Sequence, residues 1–383
     1  MAKPLKIAYL TPQLYVADGA VRVLTMKANY FAEHFGYDIT IILTEGKDKP
    51  PFYPLSDKLK IVNLDIGFEE LWGCSFLKKV FVYLKKQRRF RRLLTQELMR
   101  LRPDITVSLL RREVNFLNDI KDGSKKIGEL HVNRSNYRNF EQNDTNPLKE
   151  LFSKVWMHSL VGHLRGLDKF IVLTEEDRRN WRELDNVVVI PNALPFMPTE
   201  VSPLKEKRVI AVGRYVYQKG FDMLLKAWAT VEKSCPDWTL TIVGDGNRDS
   251  FQALADELGL DRDRCRILGR TERIQDEYLQ SSLLVMSSRF EGFGMVLVEA
   301  MACGLPVVSF DCPCGPKDII RHQEDGLLVE SGNVDALAEA IVRMIQHPEQ
   351  LTAMAAKARE NVQRFSLPQI AGQWKQLFES LVG

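Results

Sequence analysis

Two periodicities alternate along the chain. Short apolar runs read as strands at Lys6 to Pro12, Asp38 to Thr44, Asp104 to Leu110, Lys126 to Val132, Lys169 to Leu173 and Asn186 to Ile190. Between them apolar residues recur at intervals of three and four, as helices require. After the loop Gln13 to Ala20, for example, a helix is predicted to about Phe35, with Val23, Met26, Tyr30 and Phe31 on one face. Phe52 to Leu64 adds a turn and a strand, and Trp156 to Leu164 a helix. Strand, turn, helix, strand at this spacing predicts a parallel, doubly wound α/β sheet. Ligands of such sheets gather past the carboxyl ends of the strands, which puts the loop around Asp18, Gly19 and Ala20 at a binding edge.

The pattern then breaks and restarts. Pro191-Asn-Ala-Leu-Pro195-Phe-Met-Pro198 places three prolines in eight residues and reads as a linker. Beyond it, strands are expected at Arg208 to Val212, Trp238 to Gly244, Cys265 to Leu268, Ser282 to Met286 and Pro306 to Phe310. Helices are expected at Met223 to Lys233, Met295 to Cys303, Asp335 to Gln346 and Ser366 to Val382, the last with Trp374, Leu377 and Phe378 on its packing side. A chain of 383 residues therefore divides into two domains of ordinary size, 1–193 and 194–365, followed by that final helix.

Composition narrows the classes. A net charge of +3 argues against a general nucleic-acid binder. No run approaches the roughly 18 apolar residues of a membrane-spanning helix, and Met1 to Leu10 lacks a signal-peptide core, so a cytoplasmic location is expected. Six cysteines without stapling spacing read as reduced thiols, and the six histidines form no zinc pattern. Asp261-Arg-Asp263 joins a helix to a strand and reads as a turn, not a metal site. Arg134 to Pro147 reads as a polar, mobile loop.

Charge changes the picture in one place. Lys78, Lys79, Lys85, Lys86, Arg88, Arg89, Arg91 and Arg92 fall within fifteen residues, over apolar residues at helical spacing that include Leu77, Val80, Phe81, Leu84, Leu94, Leu98 and Leu101. One reading packs the apolar stripe on the first sheet and leaves the charges solvated. Another lays the basic flank of helix 78–92 on an anionic membrane surface. No aromatic among the charges reads as a base-stacking platform, so nucleic acid is not expected.

Candidate chemistry concentrates in Arg289-Phe-Glu-Gly-Phe-Gly-Met295, which feeds a helix carrying Glu299. Gly292 and Gly294 keep side chains away from the amides that open this helix, where an anion such as a diphosphate is favoured. Glu291 and Glu299 either hold hydroxyls of a bound ligand or merely complement the helix dipole. Upstream, Gly213-Arg214 and Lys219-Gly220 offer a guanidinium fork and a point charge at a strand end, a pattern that can clamp a diphosphate.

Glu291 and Glu299, with Gly-Phe-Gly between, together with Gly213-Arg214…Lys219-Gly220, Asp245-Gly-Asn and Ile190-Pro-Asn192, resemble the motifs of retaining glycosyltransferases of family 4, in the branch that extends bacterial surface polysaccharides. The resemblance implies the GT-B fold: two Rossmann-like domains facing a cleft, with the C-terminal helix 366–383 crossing back to the first. It implies transfer of a hexose or N-acetylhexosamine from a nucleotide diphosphate sugar, commonly UDP-linked, to a saccharide acceptor that is often lipid-linked. No metal or other cofactor is expected. Catalytic roles fall on Glu291, Lys219, Arg214 and His131, the last in Glu129-Leu-His131 where relatives commonly have Ser-Glu-His. Donor contacts fall on Gly19, Gly213, Gly244, Arg270, Gly292, Phe293, Gly294, Met295 and Val296, with Glu299 at the ribose. The first loop departs from the pattern, having Gly19 alone where relatives carry two glycines, and Val21 in place of an acid. A sugar-nucleotide 2-epimerase and a non-catalytic partner subunit share the architecture and stand as alternatives.

Overall fold

The computed structural model describes residues 4–73, 76–137 and 147–383. Cys74, the side chains of Leu77 and Lys78, and most of the polar loop Arg134 to Pro147 lie outside the described residues. Thirteen described strands form two wholly parallel sheets. The first contains β1 (Lys6–Leu10), β2 (Asp38–Leu43), β3 (Lys60–Asn63), β4 (Ile105–Ser108), β5 (Lys125–Glu129), β6 (Lys169–Val172) and β7 (Val187–Val189), in the order β3-β2-β1-β4-β5-β6-β7. The second contains β8 (Arg208–Val212), β9 (Thr239–Val243), β10 (Cys265–Leu268), β11 (Leu283–Met286), β12 (Val307–Asp311) and β13 (Gly326–Glu330), in the order β10-β9-β8-β11-β12-β13.

Runs such as Ile39 to Leu43 and Leu283 to Met286 are buried throughout, as strands covered by helices on both faces must be. Register is fixed by β-branched pairs, with Ile7 opposite Ile39 on one side and Ile105 on the other. The direction of strand addition reverses between β1 and β4, and again between β8 and β11. At each reversal the two following loops diverge and leave a crevice past the carboxyl ends.

Two compact units result: 1–173 with 177–193 and 370–383, and 174–176 with 194–369. The final helix, Leu367–Val382, thus gives most of its length to the first unit. There Phe378 meets Phe31 edge-on at 5.8 Å, and Trp374 lies beneath the Lys27 ammonium, 3.9 Å from the ring centroid. Burying these two aromatics contributes about 3–6 kcal/mol to that unit.

The basic helix, Phe76–Leu101, corrects one expectation. Phe90, Leu94 and Leu98 enter the core, but Val80, Phe81 and Leu84 do not; Phe81 is 73% exposed. The apolar stripe read from the sequence is therefore split, with Val80, Phe81 and Leu84 facing solvent.

Candidate active site

At the end of β8 the chain turns at Gly213, whose amide donates to the Val243 carbonyl at 3.0 Å. Gly244 lies against this turn so closely that a Cβ there would stand 1.8 Å from the Gly213 oxygen. Tyr215 then folds inward, its hydroxyl donating to the Leu268 carbonyl at 2.7 Å, and burial pushes the phenol's pKa well up. The loop returns through the turn Tyr217–Lys219 to Gly220, at φ 62°, where a Cβ would stand 2.0 Å from the Ser287 carbonyl oxygen. Only glycine permits that approach.

The approach brings Lys219 to the end of β11. Its Nζ donates to Glu291 Oε1 at 2.7 Å, and Ser288 Oγ donates to the same oxygen at 2.6 Å. Both side chains of the ion pair are largely buried. The Glu291 amide in turn donates to the Pro313 carbonyl at 2.7 Å, fixing this loop to the one after β12.

Arg289 ties the two loops from outside. Its guanidinium makes a fork on Asp222 at 2.8 and 2.7 Å and lies 4.0 Å from the centroid of the Tyr217 ring. Hydrogen bonding from Arg289 holds the Asp222 carboxyl below the usual range. The Arg289 amide donates to the Gln218 carbonyl, and the Gln218 side-chain amide donates to the Phe290 carbonyl. The sequence placed Arg289 in this stretch without a role, and nothing local in it pointed to Ser288 or to Asp222, 67 residues from its partner.

The helix Met295–Ala302 begins at Gly294, at φ 98°, and no side chain caps it. Its first amides lack intrahelical partners and point out of the helix end, a disposition that favours an anion. Phe293 is buried with its ring edge-on to Phe365 at 5.5 Å, whereas Gly292, Met295 and Val296 are half-buried. Glu299 is buried one turn inside, and Tyr278, which the sequence reading passed over, donates its hydroxyl to Glu299 Oε2 at 3.0 Å. Arg214 is exposed and makes no ion pair among the described residues; Arg270, also exposed, follows β10.

Gly19 and His131 belong to the first unit. Gly19 opens the helix Gly19–Tyr30, capped by Asp18, whose Oδ1 accepts from the Ala20 amide at 2.7 Å. A Cβ on Gly19 would meet nothing within 4 Å, so the protein's own packing does not demand glycine there. His131 follows β5, with Nε2 3.3 Å from Glu129 Oε1, the oxygen that also receives the Lys27 ammonium at 2.5 Å. Burial opposes ionisation of Glu129, but Lys27 and His131 outweigh it and bring the carboxyl down to about 2. Lys27 is a further residue missed from the sequence, although it falls four residues from both Val23 and Phe31 on an apolar face.

The same unit has a cavity of about 310 Å³ past the ends of β1, β2 and β4. Thr11, Gln13, Glu45, Glu69, Arg111 and Arg112 are among its lining residues. Burial raises the Glu45 carboxyl, while the Phe68 amide donates to it at 3.0 Å.

Residues 196–361 match the family described as Glycosyl transferases group 1. An uncharacterized glycosyltransferase of Haemophilus influenzae is 28% identical over 97% of this chain and 99% of its own length. The solved structure of TarM from S. aureus, in a complex that includes UDP and alpha-GlcNAc-glycerol, is similar with a TM-score of 0.73 and 18% identity over 98% of this chain and 99% of its own. The protein is a GT-B glycosyltransferase. Lys219, Glu291 and Glu299 of this glycosyltransferase all lie inside the matched span. A poly(ribitol-phosphate) alpha-N-acetylglucosaminyltransferase of Staphylococcus aureus is 29% identical over 69% of the chain, which spans about half of that relative, 53%.

Proposed function

We propose that the glycosyltransferase moves a hexose or N-acetylhexosamine from a UDP-linked sugar to a hydroxyl of a saccharide acceptor, in bacterial surface-polysaccharide assembly, with retention of configuration and without a metal ion. The observation that carries this reading is the Lys219–Glu291 contact, 2.7 Å, at the crevice where an uncapped helix also begins. The names of the Staphylococcus relative and of the TarM complex support the acceptor class and the UDP donor.

The barrier is departure of a diphosphate from the anomeric carbon. Negative charge grows on the leaving oxygen, where Lys219, Arg214 and the amides of Met295 and Val296 supply preorganised positive ends. Positive charge grows on the sugar, which the Glu291 carboxylate favours while holding its hydroxyls. Glu299 takes the ribose hydroxyls, and His131 the donor sugar. The acceptor oxygen bonds to the anomeric carbon on the face that the diphosphate leaves, and its proton passes to the departing diphosphate oxygen. The acceptor saccharide, carried on a lipid, is assigned to the first unit's cavity, whose carboxylates accept from hydroxyls and whose arginines accommodate an anionic group.

The test is incubation of the full chain with a panel of UDP-sugars and a saccharide acceptor in the presence of a chelator. The expected product keeps the donor's anomeric configuration, read from its NMR coupling constant. An inverted product or loss of activity with chelator would overturn the corresponding part. Conversion of the donor to its 2-epimer without acceptor would replace the reading altogether.

A further inference from the structure

The helix Phe76–Leu101 is rich in cations, and among the described residues the fold pairs only some of them. Lys86 pairs with Glu70 at 2.8 Å and donates to the carbonyls of Ile66 and Gly67; Arg91 pairs with Asp119 at 3.0 Å. Lys79, Lys85, Arg88, Arg89 and Arg92 are exposed and make no ion pair among the described residues. Phe81, Leu84, Lys85, Arg88 and Arg92 follow one another at spacings of three, one, three and four, which places them on one face of the helix. That face is opposite Phe90 and Leu94, the residues that enter the core. Val80, Phe81 and Leu84, at 44%, 73% and 49% exposed, thus form an apolar tip at the head of a cationic stripe.

We infer that this face docks the glycosyltransferase on an anionic phospholipid surface. Phe81 and Leu84 enter the headgroup layer, and Lys85, Arg88, Arg89 and Arg92 meet lipid phosphates. Charge complementarity alone would equally suit a soluble phosphate polymer. The apolar tip selects the bilayer, because exposed Phe and Leu gain nothing from a hydrated polyanion and gain burial at a membrane interface. Among the described residues no helix is long and apolar enough to cross a membrane, so the helix lies on the surface. The inference does not depend on which sugar is moved or on how the transfer proceeds.

The experiment is flotation of the full chain with vesicles of equal parts phosphatidylglycerol and phosphatidylcholine, against phosphatidylcholine alone and against inorganic polyphosphate. Binding is expected to the mixed vesicles and not to phosphatidylcholine. Arg88→Gln with Arg92→Gln should weaken partitioning about 25-fold, at about fivefold for each cation removed. Phe81→Ser with Leu84→Ser should weaken it about tenfold or more while leaving any polyphosphate binding unchanged. All four side chains are exposed, so urea unfolding of both variants should match the wild type. The wild type gives an independent reading: added salt should release it only in part if the tip is embedded. Equal partitioning of wild type and both variants, or complete release by salt, would overturn the inference. Polyphosphate binding that displaces vesicles, with the Phe81 variant indistinguishable from wild type, would replace the bilayer with an anionic polymer.

Discussion

Lys219 has one polar neighbour that matters, Glu291, and Lys219→Ala removes a donor from the growing diphosphate charge. Turnover should fall about 10²- to 10³-fold, read as kcat with the most active donor, and a fall below about threefold would remove Lys219 from the mechanism. A second pair makes a different prediction. Lys27→Met leaves Glu129 buried without its cation and should cost about 3–5 kcal/mol in urea unfolding, most of it regained by adding Glu129→Leu. The folded Glu129 carboxyl titrates near 2 and the unfolded one at 4.5. The stability that the ionised carboxylate contributes is therefore whole above about pH 5 and lost as the pH falls through 4.5 toward 2. Glu129→Gln should flatten that acid-side slope, measured as unfolding free energy against pH. At this scale the sequence was legible where chemistry is local. Glycines flanking a carboxylate mark a loop that approaches an anion, but nothing local tells that Lys27 turns inward, because its partner is 102 residues away.

Loops and helices depend on backbone contact that residue type only hints at. Gly220 and Gly36 both adopt left-handed backbones, at φ 62° and 68°, yet only the first has an oxygen 2.0 Å from its would-be Cβ. Gly36→Ala should cost about 1–2 kcal/mol, the conformational penalty alone. Gly220→Ala adds the steric clash, should cost about 2–5 kcal/mol, and should lower kcat by displacing Lys219 from Glu291; thermal unfolding and initial rates check both. The helix Pro348–Asn361 shows why some elements were not read from the pattern. Two of its four buried residues are alanines, Ala355 and Ala358, so its apolar face is too shallow to stand out. The basic helix failed in the opposite way. Its periodicity was plain along all its length, but periodicity reports which residues share a face, not whether a partner covers it.

For the molecule as a whole, strand and helix alternation was enough to read two parallel sheets, because buried parallel strands need continuous apolar runs and crossovers need helices. Strand order was not legible, since nothing in a run such as Ile105 to Ser108 says that it lies beside β1. The units are also not contiguous in sequence: 370–383 complete a core that begins at Lys6. A fragment of residues 1–193 alone uncovers Phe31, Tyr37 and Lys27 and should lack a cooperative unfolding transition by near-ultraviolet circular dichroism. Joining residues 366–383 to it through a flexible linker should restore one.

The same arrangement sets an order on events at the ribosome. The half of the protein that emerges first must wait, with an open apolar seam beside Phe31, until the last turn of α-helix has been made. Through that interval it is a natural client for chaperones, and premature termination anywhere before Trp374 strands it there.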